Sequence, residues 1–297
     1  MGVETFVIDN FSTGSIENLH AVLNDKNLHI INGDVSSALF SIPKTKKIDF
    51  VFHEAAIASV PASIKNPELV HNTNVNMTLD LMNYCVRRQI KRFIFASSAA
   101  VYGVVNGDIG ESMLCRPASP YGAGKLSIEN YLHAYNSSFG LEPVMLRYFN
   151  IYGARQKLGD YSGVITIFIE NLLSGTPPTI MGDGLQTRDF VNVKDVVQAN
   201  ILAMDSEKAV GQVLNVASGK SATVLHIAEV IKEITGKNEF EIRFAPARAG
   251  DVRNGKANIE KIRSVLGYSP SISLEDGLVG VVEYLKGNRK LAPEIEN

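Results

Sequence analysis

The sequence predicts an α/β fold, a doubly wound parallel sheet with a smaller C-terminal α/β lobe, on three observations. Short, almost wholly apolar runs alternate with longer amphipathic stretches through the first half, the pattern of a parallel sheet covered on both faces. The length of 297 residues exceeds the usual single-domain size. After about residue 150, glycine and proline become denser and the alternation gives way to shorter elements.

In chain order, residues 3–8 form the first strand, which ends in Asp9, and 28–31, 50–52, 92–96 and 143–147 supply four more. Over 74–88, Val75, Leu79, Met82 and Val86 recur at three- and four-residue spacing, as do Ile128, Leu132 and Tyr135 over 127–139. Both stretches are predicted as amphipathic crossover helices. Further on, Gly159, Gly163, Gly175-Thr176-Pro177-Pro178 and Gly182-Asp183-Gly184 punctuate the chain. There 190–193 and 213–216 read as strands, and 224–235 and 274–286 as helices. The expected division is a first domain over 1–150, with a segment near 190–217 returning to it, and a second lobe over 151–297. The tail from Asn288 is expected to fray.

Composition narrows the function classes. With 45% hydrophobic and 20% charged residues and a mean hydropathy of +0.04, the chain has the apolar surface for a core and is not a disordered one. Its 29 Lys+Arg against 31 Asp+Glu give a net charge of −2 without a dense basic run, so nucleic acid is not an expected partner. Cys85 and Cys115 are too few for a disulfide framework, and the six histidines show no metal-ligand spacing, so no metal is expected. No apolar run is long enough for a membrane helix, and the first residues lack a basic and apolar leader. The cytoplasm is the expected compartment.

The chemistry begins at Tyr121-Gly122-Ala123-Gly124-Lys125. A phenol and an ammonium four residues apart share a helix face, where the cation favours the phenolate. Upstream, the strand over 92–96 runs into Ser97-Ser98-Ala99-Ala100-Val101-Tyr102-Gly103. Its hydroxyls then stand at the carboxyl end of a parallel strand, where open α/β sheets bind ligands.

Nine segments in order carry a resemblance: Asp9-Asn10-Phe11-Ser12-Thr13-Gly14, Gly33-Asp34-Val35, His53-Glu54-Ala55-Ala56, Asn74-Val75-Asn76, Ser98 to Gly103, Tyr121-x-x-x-Lys125, Arg147-Tyr148-Phe149-Asn150-Ile151-Tyr152-Gly153, Arg188-Asp189-Phe190 and Arg248-Ala249-Gly250-Asp251. With them the chain resembles the extended short-chain dehydrogenase/reductases of the NAD-dependent sugar-nucleotide epimerase family. The resemblance implies a Rossmann-type sheet in the first domain, sugar-nucleotide contacts mainly in the second lobe, and NAD as cofactor. It implies C4 epimerisation of a UDP-sugar through a transient 4-keto sugar. In that scheme Tyr121 exchanges the proton of the sugar 4-OH, Ser98 hydrogen-bonds the reacting oxygen, and Lys125 holds the nicotinamide ribose. Lys125 and the cofactor's charge would lower the Tyr121 pKa from about 10.

The same resemblance assigns Asp9, Asn10, Ser12, Thr13, Gly14, Asp34, Val35, Ala55, Ala56, Asn74 and Phe149 to the cofactor. A carboxylate at Asp9 suits ribose hydroxyls and repels a 2′-phosphate, which favours NAD over NADP; the alternative is a helix N-cap. To the substrate it assigns Ser59, Ser98, Asn150, Arg188, Arg248, Asp251 and Gly255, the two guanidinium groups facing diphosphate and uridine. Ala99 and Ala100 stand where the related dehydratases carry an acid, which favours epimerase over dehydratase or decarboxylase chemistry. Gly255, four residues after Asp251, leaves room for a 2-N-acetyl group, so UDP-GlcNAc/UDP-GalNAc is the expected pair with UDP-glucose/UDP-galactose tolerated; the alternative is a turn glycine.

Two further expectations concern assembly. Family members open with a strand, a G-x-x-G-x-x-G loop and a helix, whereas this sequence begins at the second strand; a truncated start and two strands short of a neighbour are therefore expected. The helices over 68–89 and 122–139 carry the apolar stripes of a homodimeric four-helix bundle. The competing readings are a sugar-nucleotide reductase or decarboxylase, and a non-catalytic sugar-nucleotide binder.

Overall fold

The computed structural model describes residues 2–156, 163–247 and 253–291, the side chains as far as 287. In chain order its elements are β1 (Thr5–Asp9), β2 (Leu28–Asn32), α1 (Val35–Ala38), β3 (Phe50–His53), α2 (Val60–Lys65), α3 (Pro67–His71) and α4 (Met77–Arg87). Then come β4 (Arg92–Ser98), β5 (Gly107–Ile109), α5 (Pro120–Phe139), β6 (Glu142–Tyr148), β7 (Asn150–Tyr152), α6 (Val164–Leu173), β8 (Thr179–Met181) and β9 (Thr187–Asn192). The chain closes with α7 (Val193–Asp205), β10 (Val213–Val216), β11 (Ser221–Thr223), α8 (Val224–Thr235), β12 (Arg243–Ala245), β13 (Gly255–Ala257), α9 (Glu260–Leu266) and α10 (Leu274–Leu291).

A parallel sheet in the order β10-β6-β4-β3 organises the first half. Its middle strands are apolar on both sides because both faces are covered. On β4, Ile94 and Ala96 pack with Val144, Leu146, Val196 and Ala199 on the α7 side, while Phe93 and Phe95 pack with Leu81, Met82, Ile128 and Leu132 on the α4/α5 side. The chain returns to this sheet through β10, which lies parallel to β6 with Val213 opposite Met145.

β1 and β2 form a second parallel pair, Thr5 opposite Leu28 through Asp9 opposite Asn32. Among the described strands, β1 pairs with β2 alone and β3 with β4 alone. Phe52 pairs with Ile94 and so shares its face of the sheet, yet Phe50 and Phe52 remain 41% and 43% exposed. On α7, Val197 and Ile201 are also exposed, at 51% and 49%.

The helix expected over 74–88 differs at its start. α3 passes into a π-helical turn over Asn72–Asn76 before α4 begins. In that wider turn Asn74 points inward, with both amide groups bonded to the backbone of Ile57, and Thr78 Oγ1 donates to Asn74 O at 2.8 Å. A π-turn of this kind re-aims one side chain at the expense of a regular ladder.

The remaining strands form the mixed sheet β11-β9-β7 and the pairs β12-β8 and β13-β5, and Ile165, Phe168, Ile169, Ile227, Ile231 and Leu278 form a further core cluster on α6, α8 and α10. No helix among the described residues is long and apolar enough to cross a membrane.

Candidate active site

Local rules place Tyr121. Ser119 Oγ accepts from Gly122 N at 3.2 Å and Pro120 occupies the first helical turn, which together start α5 there. A Cβ on Gly122 would lie 2.5 Å from Ala100 O, so only glycine lets α5 rest on the 3₁₀ turn Ala99–Tyr102. Ser98, at the end of β4, caps that turn by accepting from Ala100 N at 3.1 Å. The Tyr121 phenol is thereby brought to the Ser98 hydroxyl.

Lys125 lies one helical turn further on and is almost wholly buried. Its Nζ donates to Ala96 O at 2.6 Å and stands 4.8 Å from the Phe95 ring centre and 5.9 Å from that of Tyr121. Burial brings Lys125 down to about 8, against the pull of Glu54 and Glu129. The lowering of Tyr121 is expected from Lys125 and the cofactor's charge together. In the chain without the cofactor, burial pushes the phenol up, with the Ser98 hydrogen bond opposing it.

Two carboxylates complete the site and were passed over in the sequence. Glu129 follows Lys125 by four residues, so Tyr121, Lys125 and Glu129 share one face of α5, a spacing that could have revealed it. It holds Arg147 of β6 through Nε at 2.9 Å and Nη2 at 2.6 Å, and Ser97 Oγ donates to it at 2.5 Å. Arg147 also stacks 4.7 Å over the Tyr102 ring. Glu54 follows β3 and accepts from Tyr148 Oη at 2.9 Å; that hydroxyl accepts from Asn200 Nδ2 at 2.7 Å. Glu54 is an exposed residue, yet the protein packed around its carboxyl raises its pKa by desolvation, against the Tyr148 hydrogen bond and Lys125. His53 beside it is held neutral, pushed to about 3 by burial and then by Lys125, with its Nε2 bonded to Thr78 Oγ1 at 2.7 Å.

The cofactor candidates gather at the carboxyl ends of β1, β2 and β3. Asp9 is not a helix cap: its Oδ1 accepts from Phe11 N at 2.7 Å, and its Oδ2 leans over Gly14, where a Cβ would come within 2.9 Å. Asn10 Nδ2 donates to Asp34 Oδ1 at 2.7 Å and its Oδ1 accepts from Ser12 N at 3.0 Å, tying the two strand ends together. Thr13 is exposed beside them, and Val35 opens α1 against the α4/α5 core. Ala55 is exposed and Ala56 partly so, leaving small side chains along the cleft. The carboxylate, the glycine beneath it and the two alanines fit the adenosine half and backbone of a dinucleotide. Asn74, expected near the nicotinamide, lies in the π-helical turn before α4. Its amide is occupied by Ile57 N at 2.8 Å and Ile57 O at 3.1 Å, so it shapes the loop after β3.

The substrate candidates are spread over both halves of the chain. Ser59 caps α2 by accepting from Ala62 N at 3.1 Å. Asn150 Nδ2 donates to Asp189 O at 2.9 Å, since β7 runs parallel to β9 with Asn150 opposite Phe190. Arg188, on β9, donates through Nη1 to Thr187 O at 2.8 Å. Phe149 packs toward Tyr102, ring centres 6.4 Å apart. Gly255 is not in a turn: it is buried at the start of β13, opposite Gly107. Arg248 and Asp251 fall outside the described residues.

Residues 1–217 match the NAD dependent epimerase/dehydratase family. The chain belongs to that family. It is 33% identical over 282 residues to UDP-glucose 4-epimerase of Mycolicibacterium smegmatis, covering 94% of this chain and 90% of the relative. The solved UDP-N-acetylglucosamine 4-epimerase of Methanobrevibacter ruminantium, in complex with UDP-N-acetylmuramic acid, superposes with a TM-score of 0.91 at 38% identity, over 96% of this chain and 91% of that one. UDP-glucuronic acid 4-epimerase of Bacillus cereus, with UDP-glucuronic acid and NAD, gives a TM-score of 0.85 at 32% identity over 95% and 91%. The family's cofactor is NAD, and the α/β fold with its parallel sheets is shared with these epimerases.

Proposed function

We propose that this protein is an NAD-dependent UDP-sugar 4-epimerase acting through a transient 4-keto sugar. The observation that carries the reading is the Ser98, Tyr121 and Lys125 set at the end of β4, with Ala99 and Ala100 rather than an acid beside Ser98. Bound NAD supplies a hydride acceptor and donor. The chain's own groups do the rest: Tyr121 takes the proton from the sugar O4 and returns it, Ser98 hydrogen-bonds that oxygen, and Lys125 supplies positive charge. Asp9, Asn10, Asp34, Ala55 and Ala56 would hold the cofactor in a domain over 1–150. Asn150, Arg188, Arg248 and Asp251 would hold the sugar nucleotide, mainly from 151–297. The buried Gly255 supports an N-acetylhexosamine substrate, UDP-GlcNAc/UDP-GalNAc, because a strand glycine adds no bulk where it borders the site.

Incubation with each of UDP-glucose, UDP-galactose, UDP-GlcNAc and UDP-GalNAc, read by proton NMR of the anomeric signals, tests this. The expected result is interconversion within a pair without net NADH, lost by 10²- to 10⁴-fold in Tyr121→Phe, on the order of a general base's contribution. Binding of UDP-sugar with no turnover, indifferent to Tyr121→Phe, would replace the enzyme reading with that of a binder. A homodimer through α3, α4 and α5 is supported by Leu69 and Tyr131, exposed on those helices; sedimentation at micromolar concentration reads it.

A further inference from the structure

Glu54 is a charged group near Lys125 that neither the proton transfer nor the cofactor contacts employ and that no cation pairs, and strand register accounts for its place. His53 pairs with Phe95, so Glu54 follows at the level of Ala96, whose carbonyl holds the Lys125 ammonium at 2.6 Å. On the other side of β4, Tyr148 pairs with Ser98 and turns its hydroxyl onto Glu54 Oε1 at 2.9 Å. Asn200 Nδ2 donates to that hydroxyl at 2.7 Å and to Val196 O at 3.0 Å, which anchors the row of donors to α7. Glu54 is thus fixed across the carboxyl ends of three strands.

The other groups facing Lys125 are balanced or neutral. Glu129, on its own helix, is bidentate on Arg147 of β6 and also accepts from Ser97 of β4. His53 of β3 is neutral, and in the cofactor-free chain burial raises the Tyr121 and Tyr148 phenols, so neither brings a negative charge to Lys125. Glu54 has a neutral hydroxyl as its partner, so its charge is not cancelled locally.

We propose that the Glu54 carboxylate is the counter-charge that keeps Lys125 an ammonium, a positioning residue that acts on Tyr121 through Lys125. The inference rests on the reading of Lys125 as the cation of the active site. Burial works to deprotonate Lys125, and Glu54 opposes it ahead of Glu129. Glu54 and Lys125 form no direct ion pair, and an opposite charge nearby moves such a group by about one pH unit.

The test reads Lys125 directly, in the cofactor-free full chain carrying ¹³C at lysine Cε. Its resonance, identified by its loss in Lys125→Met, should titrate near pH 8 in the unaltered protein and about one pH unit lower in Glu54→Gln. Glu54→Asp withdraws the same charge by one methylene and should fall between the two; it carries the test where the glutamine variant does not fold. Tyr148→Phe keeps the carboxylate and should leave the midpoint in place above neutral pH. On the NAD-loaded protein, the alkaline limb of kcat/KM should move with the resonance. A uniform loss of kcat with an unmoved Lys125 midpoint overturns the proposal. A moved midpoint in a chain that epimerises no sugar supports it while counting against the proposed activity.

Discussion

Lys125 Nζ donates to Ala96 O at 2.6 Å while standing 5.9 Å from the centre of the Tyr121 ring. The cation is therefore held by the end of a β-strand, and a helix-face spacing alone gives a wrong picture of its partner. Burial leaves Lys125 at about 8 against about 10.4 for an ordinary lysine. Between those values the unfolded chain binds a proton that the folded chain has released, so Lys125 makes stability rise with pH in that window. Relative to Lys125→Met, the unaltered protein should gain about 2 kcal/mol from pH 7.5 to 9.5. Urea unfolding of both proteins at the two pH values measures the difference, and a flat difference refutes the burial argument. The methionine variant should stay folded and lose turnover.

His53 gives the opposite limb. It is held near 3 by burial and by Lys125, while an unfolded histidine titrates near 6.5. The unfolded chain therefore takes up a proton on acidification that the folded chain refuses, and the stability present above about pH 6.5 is lost as pH falls toward 3. From pH 7 to 4.5 the expected loss is about 2 to 3 kcal/mol. His53→Gln can keep a hydrogen bond to Thr78 but does not titrate, and should remove that part of the acid sensitivity. Equal acid slopes in the two proteins would show that His53 titrates alike in the folded and unfolded states.

Gly122 tests how the site is assembled. A Cβ there would meet Ala100 O at 2.5 Å and the Pro117 side chain at 3.1 Å. The backbone carbonyl cannot rotate aside, so Gly122→Ala must lift the first turn of α5 off the Ser98 turn. The expected cost is about 1 to 3 kcal/mol by analogy with overpacked cores, with a fall in kcat larger than the change in KM because Tyr121 and Ser98 separate. Gly124→Ala, on the same helix and 3.3 Å from a Val75 methyl, is the control, and equal effects from both would contradict the argument.

What was legible in the sequence follows from which forces are local. The helix expected over 224–235 has those bounds because Thr223 accepts from His226 N at 3.1 Å and Gly236 ends it with φ at +70°. Phe93-Ile94-Phe95 could be read as a central strand because all three are fully buried between two helical layers. The pairing of β5 with β13 joins Gly107 to Gly255 across half of the chain; three-residue strands carry too little periodicity to announce it. The partner of Asn74 was not legible because Ile57 lies 17 residues away, with α2 and α3 between them. Glu54 received no role from the sequence because only the parallel register with β4 and β6 brings Lys125 and Tyr148 toward it. The upward shift of Tyr121 had the same origin, since burial depends on what packs around a helix rather than on spacing within it.

The Glu129–Arg147 pair is the last point at which stability and the site separate. Both side chains are buried, and Arg147 Nη1 has no partner among the described residues, so the pair is held by two bonds to one carboxylate and by the Tyr102 ring. Removing one charge leaves the other buried and uncompensated, a loss of about 3 to 5 kcal/mol in comparable cases. Glu129→Gln and Arg147→Met should each show it as a lower urea midpoint. The double variant Glu129→Leu/Arg147→Met removes both charges together and should recover most of the stability. Its Lys125 then loses a neighbour whose charge was already balanced, so the Lys125 titration should move less than in Glu54→Gln. A double variant as unstable as either single one would mean that the pair contributes by packing and hydrogen bonding rather than by mutual compensation of charge.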